Sequence, residues 1–245
     1  MNLPIPPFGQ KSFSRRGALK WGLLGLGGVA LATLPKTALA RSFSPLKPLT
    51  FTADDIGILN FALLLEEVEA TFYVLALQSG KITDRSEYEY LRAIGRHEAT
   101  HVTFLRKVLG RKAAFNSRDL IYSRSGFSPL LKSRDAILNA AVMLEDTGVH
   151  AYNGAGPSLK DPTYILAAGS IVSVEARHSA GVRGLLGRPA TQVPSEDSVP
   201  KEKLIPELNP FNGRAYDELY TPKQIIAIVG SLKILNNPIN GALVA

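Results

Sequence analysis

Two copies of a Glu-x-x-His motif are the residues of this chain best suited to metal chemistry. Glu98 precedes His101 by three residues, and Glu175 precedes His178 by the same interval. On a helix, residues three apart lie on one face, so each motif directs a carboxylate and an imidazole the same way. The chain has no cysteine, which excludes disulfides and thiolate sites, so a metal here must take oxygen and imidazole ligands.

Each motif follows a segment that carries a glutamate of its own. Glu66 is followed after seven residues by Tyr73, and Glu145 is followed at the same interval by Tyr152. Seven residues make nearly two helical turns, so we expect each tyrosine to lie beneath the glutamate of its own helix. The Glu-x-x-His motifs begin 32 and 30 residues after these glutamates. The sequence therefore contains an internal repeat of a pair of helices.

The segment from residue 52 to residue 186 predicts four helices, and no alternating strand pattern competes with them. Helix start signals precede each one, at Thr52–Asp55, Asp84–Glu87, Ser133 and Asp161–Pro162. Gly80 and Gly110 stand where the first two should end. Each apolar stripe is interrupted at mid-height by acids or histidines. A buried carboxylate without a partner costs several kcal/mol, so four such interruptions indicate one shared site.

The predicted fold is all-α, a four-helix bundle with a long crossover between its second and third helices. The crossover is residues 111–132, a length that suits a connection between two parallel helices. After residue 187 prolines interrupt the chain until a short helix from Pro222 to about Leu232. We place the bundle at residues 41–187 and expect residues 188–245 to pack on it as an extension.

Most of the chain's net positive charge comes from residues 1–40. The formal net charge is +7, but this segment holds five basic residues and no acidic one. The remainder has 23 basic and 21 acidic residues, a net charge near +2. A nucleic-acid partner therefore has no support from the charge of the predicted bundle.

Residues 1–40 have the parts of an export signal. A basic region is followed by an apolar run from Trp21 to Leu34 and by the small residues Ala38-Leu39-Ala40. The apolar run is short for a membrane span. Ser14–Lys20 resembles a twin-arginine signal, which implies the twin-arginine export machinery as a partner and a periplasmic or extracellular location. We expect cleavage after Ala40 and no stable membrane span after processing.

The bundle resembles the ferritin-like di-iron and di-manganese carboxylate proteins. More narrowly, three segments resemble exported ferritin-like proteins related to plant desiccation-related proteins: Leu65–Tyr73, His97–His101 and Glu175–His178. The resemblance covers residues 51–187, and it extends to the stretch Asn209–Asn212 in the tail. It implies two iron or manganese ions, with zinc less suited to this ligand set.

The resemblance also implies a role for each residue of the site. Glu98 and Glu175 would bridge the two ions, and His101 and His178 would each complete one coordination sphere. Glu66 and Glu145 would be terminal ligands. Tyr73 and Tyr152 would support them from outside the ligand set.

Several residues near the site depart from the repeat or from the stripes. Glu69 has Gly148 as its counterpart, so it is an extra ligand, a protonated core acid or a group for proton transfer. His97 and His150 lie off the stripes and are expected to be surface or packing residues. The acids next to the two terminal ligands, Glu67 and Asp146, are expected to face solvent.

Three classes of function fit this pattern. The first is redox catalysis by the metal pair, as an oxidase, a ferroxidase or a peroxide-decomposing enzyme. The second is sequestration of metal outside the cytoplasm. The third is a metal-free structural or stress-protective protein, whose buried acids would pair with arginine or tyrosine. The sequence identifies no catalytic residue, and a homo-oligomer is compatible with all three.

Overall fold

The computed structural model describes residues 46–190 and 217–245. The predicted export signal in residues 1–40 and the Asn209–Asn212 stretch lie outside the described residues. The described residues contain six α-helices and two short strands: α1 Asp55–Gln78, α2 Arg85–Leu109, α3 Arg124–Leu130, α4 Arg134–Ala155, α5 Pro162–Leu185, α6 Pro222–Leu232, β1 Leu49–Thr50 and β2 Ile239–Asn240. The predicted all-α class is confirmed, and α1, α2, α4 and α5 are the four long helices.

Side-chain caps begin the long helices close to where the sequence predicts them. The Asp84 carboxylate accepts hydrogen bonds from the backbone N–H groups of the first turn of α2, and Ser133 and Asp161 do the same for α4 and α5. In α1 the cap is Asp54, which accepts from the Gly57 N–H at 2.8 Å. Each cap satisfies donors that the first helical turn leaves without partners.

The contacts between site residues fix the direction of the helices. Tyr152, near the end of α4, donates to Glu66, in the first half of α1. Tyr73, later in α1, donates to Glu145, which lies earlier in α4. The order along one helix is thus reversed along the other, so α1 and α4 are antiparallel. Since short connections follow α1 and α4, helices α2 and α4 run parallel, as the crossover prediction requires.

The crossover between α2 and α4 carries structure of its own. Two short 3-10 helices, Gly110–Lys112 and Ser117–Asp119, precede α3 within it. The C-terminal residues pack against this segment: the backbone N–H of Ser123 donates to the Ile234 carbonyl at 2.9 Å. The Asn237 side-chain amide donates to the Asp119 carbonyl at 2.9 Å.

The first and last described segments of the chain pair with each other in a short sheet. The strands β1 and β2 are parallel, with Leu49 opposite Ile239 and Thr50 opposite Asn240. The α6 helix was predicted from the sequence but this strand pair was not, since two residues are too few for a strand pattern. Helix α6 packs on α4, with Ile225 and Val229 buried.

Helix α1 is the most enclosed of the elements that form the site. Every residue from 57 to 69 is buried, so this half of the helix has no solvent face. Its apolar side chains join those of α2 and α4 in the main core. Within the described part of the chain, no helix combines the length and the apolar character needed to span a bilayer.

Candidate metal centre

The four long helices each contribute to one buried cluster at mid-height. The cluster contains the six predicted ligands: Glu66 from α1, Glu98 and His101 from α2, Glu145 from α4, and Glu175 and His178 from α5. The four glutamates are at most 1% exposed, and the His101 side chain is 12% exposed. Water is therefore largely excluded from these carboxylates. The cluster divides into two overlapping sets.

The first set, the His101 half-site, consists of Glu66, Glu98, His101 and Glu175. The Nδ1 atom of His101 lies 3.1 Å from Glu66 Oε2, 3.2 Å from Glu98 Oε2 and 3.0 Å from Glu175 Oε1. One imidazole nitrogen thus faces three carboxylate oxygens from three helices. Oxygen and imidazole donors that converge in this way are the ligands that iron and manganese accept.

The second set, the His178 half-site, consists of Glu98, Glu145, Glu175 and His178. The Nδ1 atom of His178 lies 3.0 Å from Glu98 Oε1, 3.1 Å from Glu145 Oε2 and 3.6 Å from Glu175 Oε2. The arrangement repeats that of the first set. The internal repeat of the sequence is therefore also a repeat of the donor geometry.

Glu98 and Glu175 belong to both half-sites. Each turns one carboxylate oxygen toward His101 and the other toward His178. Glu98 Oε1 and both oxygens of Glu175 are buried and accept no hydrogen bond within the described residues. Burial of a carboxylate in this state is costly. Two divalent cations would remove this cost, because their charge equals that of the four glutamates. The residues present therefore fit a pair of metal ions.

Two tyrosines hold the other two glutamates. The Tyr152 hydroxyl donates to Glu66 Oε1 at 2.5 Å, and the Tyr73 hydroxyl donates to Glu145 Oε1. Each glutamate keeps its second oxygen turned toward a histidine. Each tyrosine lies on the same helix as one of these glutamates but donates to the glutamate of the other helix, a partner that its spacing did not predict. Burial, followed by the charge of the glutamate, raises the pKa of both tyrosines, which favours the hydroxyl form that donates.

The protonation of the cluster without metal follows from burial and proximity. Burial raises the pKa of Glu66 to about 8 and that of Glu145 well above its ordinary value. Burial alone would lower the pKa of His101 and His178, but the adjacent carboxylates outweigh it and raise both to about 12. Burial opposes ionisation of Glu175 as well, yet the two imidazoles lower its pKa to about 2. Protons thus take up part of the role that metal ions would have.

Glu69 lies between the two half-sites. A Cβ placed on Gly148 would be 3.2 Å from Glu69 Oε1 and 3.9 Å from Glu175 Oε2. Because α1 and α4 are antiparallel, the repeat-related positions 69 and 148 face each other across the centre. Glycine at position 148 leaves room for the single carboxyl group of Glu69. Burial, and then the charge of Glu175, raises the pKa of Glu69 well above its ordinary value, which favours the protonated acid when no metal is bound.

One residue that touches the cluster was not predicted from the sequence. His97 is exposed, as predicted, but its Nδ1 lies 2.8 Å from His178 Nε2, and the two rings stack with centroids 5.0 Å apart. His150 is a packing residue, with its ring 4.6 Å from that of Tyr220. The His97 contact left no signal in helical periodicity, since it joins two helices that are distant in sequence.

Two acids predicted to face solvent do not. Glu67 is 8% exposed and accepts a hydrogen bond from Arg106 Nε at 2.9 Å. Asp146 accepts from Arg183 Nη1 at 2.9 Å, and its side chain is 16% exposed. Both predictions were wrong because the helices bury more of their circumference than a single apolar stripe suggests. Arginines from neighbouring helices neutralise the two carboxylates.

The comparison with family models agrees with this architecture. The model described as a ferritin-like domain matches residues 54–188, more than half of the chain. No curated protein matches the sequence. The matched range begins at the cap of α1, ends just after α5 and includes all six residues of the cluster. The chain belongs to the ferritin-like domain family.

Proposed function

We propose that the bundle holds two divalent ions, iron or manganese, and that the protein uses this pair in redox chemistry outside the cytoplasm. The observation that carries the proposal is the sharing of Glu98 and Glu175 between two half-sites. Each of these residues directs its two oxygens to two different histidines. An arrangement that only had to neutralise buried acids would not need this twofold sharing.

The roles of the residues follow from their contacts. Glu98 and Glu175 would bridge the ions, while Glu66 with His101 and Glu145 with His178 would complete one half-site each. Tyr152 and Tyr73 would orient the terminal carboxylates through the oxygens that face away from the histidines. When bound, iron or manganese supplies electron transfer that no side chain of the cluster supplies.

Glu69 would hold a proton beside the centre. Its buried carboxyl group lies near Glu175 and is not among the residues that surround either histidine nitrogen. A carboxyl group that keeps its proton in a buried site can donate it to a reacting group. We assign Glu69 this supporting role, outside the six ligands.

The first test is the metal content of protein purified without chelators, followed by melting curves with and without added Mn²⁺ or anaerobic Fe²⁺. Metal that binds only the folded state stabilises it by about 2.7 kcal/mol when the free ion is 100 times its dissociation constant. The Glu98→Ala variant should lose this gain. Glu89→Ala is the matched control, because Glu89 lies exposed on the same helix. Unchanged melting of the native protein in both metals would support a metal-free structural role.

The redox part of the proposal needs its own measurement. Protein loaded with Fe²⁺ without air should oxidise that iron faster than the Glu98→Ala variant when dioxygen or hydrogen peroxide is added. Rapid oxidation by the native protein would support a redox enzyme. Tight binding with oxidation no faster than in the variant would support sequestration instead.

The location is a separate proposal, supported by the composition of residues 1–40. Replacement of Arg15 and Arg16 by lysine should leave the precursor in the cytoplasm, since paired arginines define the presumed signal. Normal export of this double variant would exclude the twin-arginine route. The metal proposal does not depend on this outcome.

A further inference from the structure

An apolar cavity lies beside the His101 half-site. Its walls come from the first half of α1, the end of α4 and the following turn, and α5, and they include Ala62, Leu65, Ala151, Tyr152 and Ala168. Its volume, counted as the space that the centre of a water-sized sphere can reach, is about 20 Å³. One water needs roughly 10–15 Å³ by the same measure, so the cavity has room for one very small molecule.

Tyr152 connects this cavity, called here the Tyr152 cavity, to the metal centre. The tyrosine ring forms part of the wall, and its hydroxyl donates to Glu66 Oε1 at 2.5 Å. Leu65, the neighbour of Glu66 in the chain, also lines the cavity. A molecule in the cavity would therefore touch residues that position a terminal glutamate of the His101 half-site.

The internal repeat shows how the cavity arises. Counting from the two site glutamates, Ala151 is the counterpart of Phe72, and counting from the two motifs, Ala168 is the counterpart of Leu91. Phe72 and Leu91 are fully buried. The cavity side thus has alanine at two positions where the other half has large side chains. At a third pair of positions the large residue is on the cavity side, where Phe61 is the counterpart of Ala140. This phenylalanine restores only part of the side-chain volume that the two alanines lack.

The walls determine what can occupy the space. They are lined almost wholly by apolar atoms, and the tyrosine hydroxyl already donates to Glu66. A water molecule needs two to four polar partners to be stably bound, and these apolar walls do not offer them. The cavity therefore disfavours water and favours a molecule without hydrogen-bonding groups.

We propose that the Tyr152 cavity is a binding site for a small apolar molecule, of the class of dissolved gases and the smallest hydrocarbons. The site would hold this molecule next to the His101 half-site and not next to the His178 half-site. The claim that the bound molecule lies near a metal ion rests on the proposed function, whereas binding in the cavity does not.

Xenon tests the cavity directly, because it is apolar and visible in diffraction. Crystals of the native protein under xenon pressure should show density between Tyr152 and Ala168. The density should be lost in Ala168→Leu, which restores the leucine of the other half, and retained in Ala93→Leu, an exposed site on α2. Ala151→Val is a second, smaller filling variant. Absence of xenon from the native cavity, or its persistence in both filled variants, would overturn the proposal.

A second measurement tests whether a molecule in the cavity lies close to the metal centre. The nuclear relaxation of dissolved ¹²⁹Xe should be faster with Mn²⁺-loaded native protein than with equally loaded Ala168→Leu, because bound xenon would approach a paramagnetic ion. Equal relaxation rates, with xenon density present, would show that bound xenon does not approach the metal ion. That result would overturn the claim that the cavity adjoins the metal centre. If the native protein takes up neither Mn²⁺ nor Fe²⁺, the proposed function fails, while the xenon density still decides the cavity.

Discussion

The two half-sites share their donors but differ in their surroundings. In both, a histidine Nδ1 faces three carboxylate oxygens, and a tyrosine from the opposite helix holds the terminal glutamate. On the His178 side the supporting Tyr73 is fully buried and packs edge-on against Phe72, with ring centroids 5.2 Å apart. On the His101 side the supporting Tyr152 borders a cavity. One half-site is tightly enclosed, and the other adjoins free volume.

The outer faces of the histidines differ as well. The outer nitrogen of His178 contacts His97, and the repeat places Val174 where His97 would stand for His101. Position 69 is a glutamate in one half, and position 148 is a glycine in the other. A repeated helix pair thus supplies two equal ligand sets, and single replacements around them make the sets unequal. The difference predicts that the two metal positions have unequal affinities.

The largest expected effect separates shared from unshared ligands. Glu98→Ala and Glu175→Ala should each remove both ions, because each carboxylate belongs to both half-sites. Glu66→Ala and Glu145→Ala should each remove only one. The metal-to-protein ratio, measured with circular dichroism to confirm the fold, checks this difference. Loss of both ions from Glu66→Ala with retention of one in Glu98→Ala would break the assignment of bridging and terminal roles.

The next effect concerns the protons that occupy the centre without metal. The pKa of Glu66 is 4.5 in the unfolded chain and about 8 in the fold, so between these values the folded state holds a proton that the unfolded state releases. Stability of the metal-free protein should therefore fall from pH 5 to pH 8, by about 1.4 kcal/mol per pH unit for each such proton. The raised pKa values of His101 and His178 act in the same direction above pH 6.5.

Melting curves at several pH values with a chelator, and then with Mn²⁺, check this trend. Because the metal displaces protons, it should weaken or reverse the fall. Glu66→Gln should flatten the curve of the metal-free protein. A metal-free protein whose stability does not fall from pH 5 to pH 8 would contradict the raised pKa values of Glu66, His101 and His178 in the fold.

The sequence was sufficient to predict the four long helices, α6 and the six residues that meet in the cluster, but not α3 within the crossover. The reason for this success is local. Caps such as Asp84 and Ser133 act within one turn, and an apolar stripe interrupted by Glu98 and His101 reports directly which face is buried. A repeated motif adds specificity, since two matching interruptions rarely occur by chance. These signals need no knowledge of how the helices pack.

The contacts between helices could not be predicted in this way. Tyr73 serves Glu145 because α1 and α4 are antiparallel, and the spacing within one helix does not contain that information. Glu67 is buried because Arg106 of α2 neutralises it. The Tyr152 cavity depends on how side chains of three helices fill the space between them. Each of these features is a property of packing.

A smaller effect should distinguish the outer faces of the two histidines. If His178 held a metal through Nδ1, its Nε2 would carry the hydrogen and would donate it to His97 Nδ1, which lies 2.8 Å away. His97→Ala should weaken binding at the His178 half-site about 10- to 100-fold, the usual range for such partners, and leave the other position nearly unchanged. His97→Asn, which keeps an acceptor, should recover part of the loss, and exposed Arg96→Ala is the control. Metal titrations check the result, and equal weakening of both positions would contradict it.

The smallest effect tests the crowding of Glu69 against Gly148. Alanine normally stabilises a helix interior by about 0.5–1 kcal/mol relative to glycine. At position 148 the new methyl group would lie 3.2 Å from Glu69 Oε1, so Gly148→Ala should gain less than this or destabilise the metal-free protein. In a Glu69→Ala background the obstacle is gone, and the same change should stabilise by the full amount. The double-mutant cycle should therefore give a coupling of about 1 kcal/mol.

Gly169 supplies the control for that cycle, because nothing lies within 4 Å of a Cβ placed there. Gly169→Ala should stabilise α5 equally with and without Glu69. Urea unfolding of the single and double variants, with a chelator present, measures both couplings. A coupling near zero at position 148 would mean that Glu69 turns away from Gly148 in solution. The glycine at position 148 would then reflect helix packing alone. It would no longer be evidence that the Glu69 carboxyl group lies between the two half-sites.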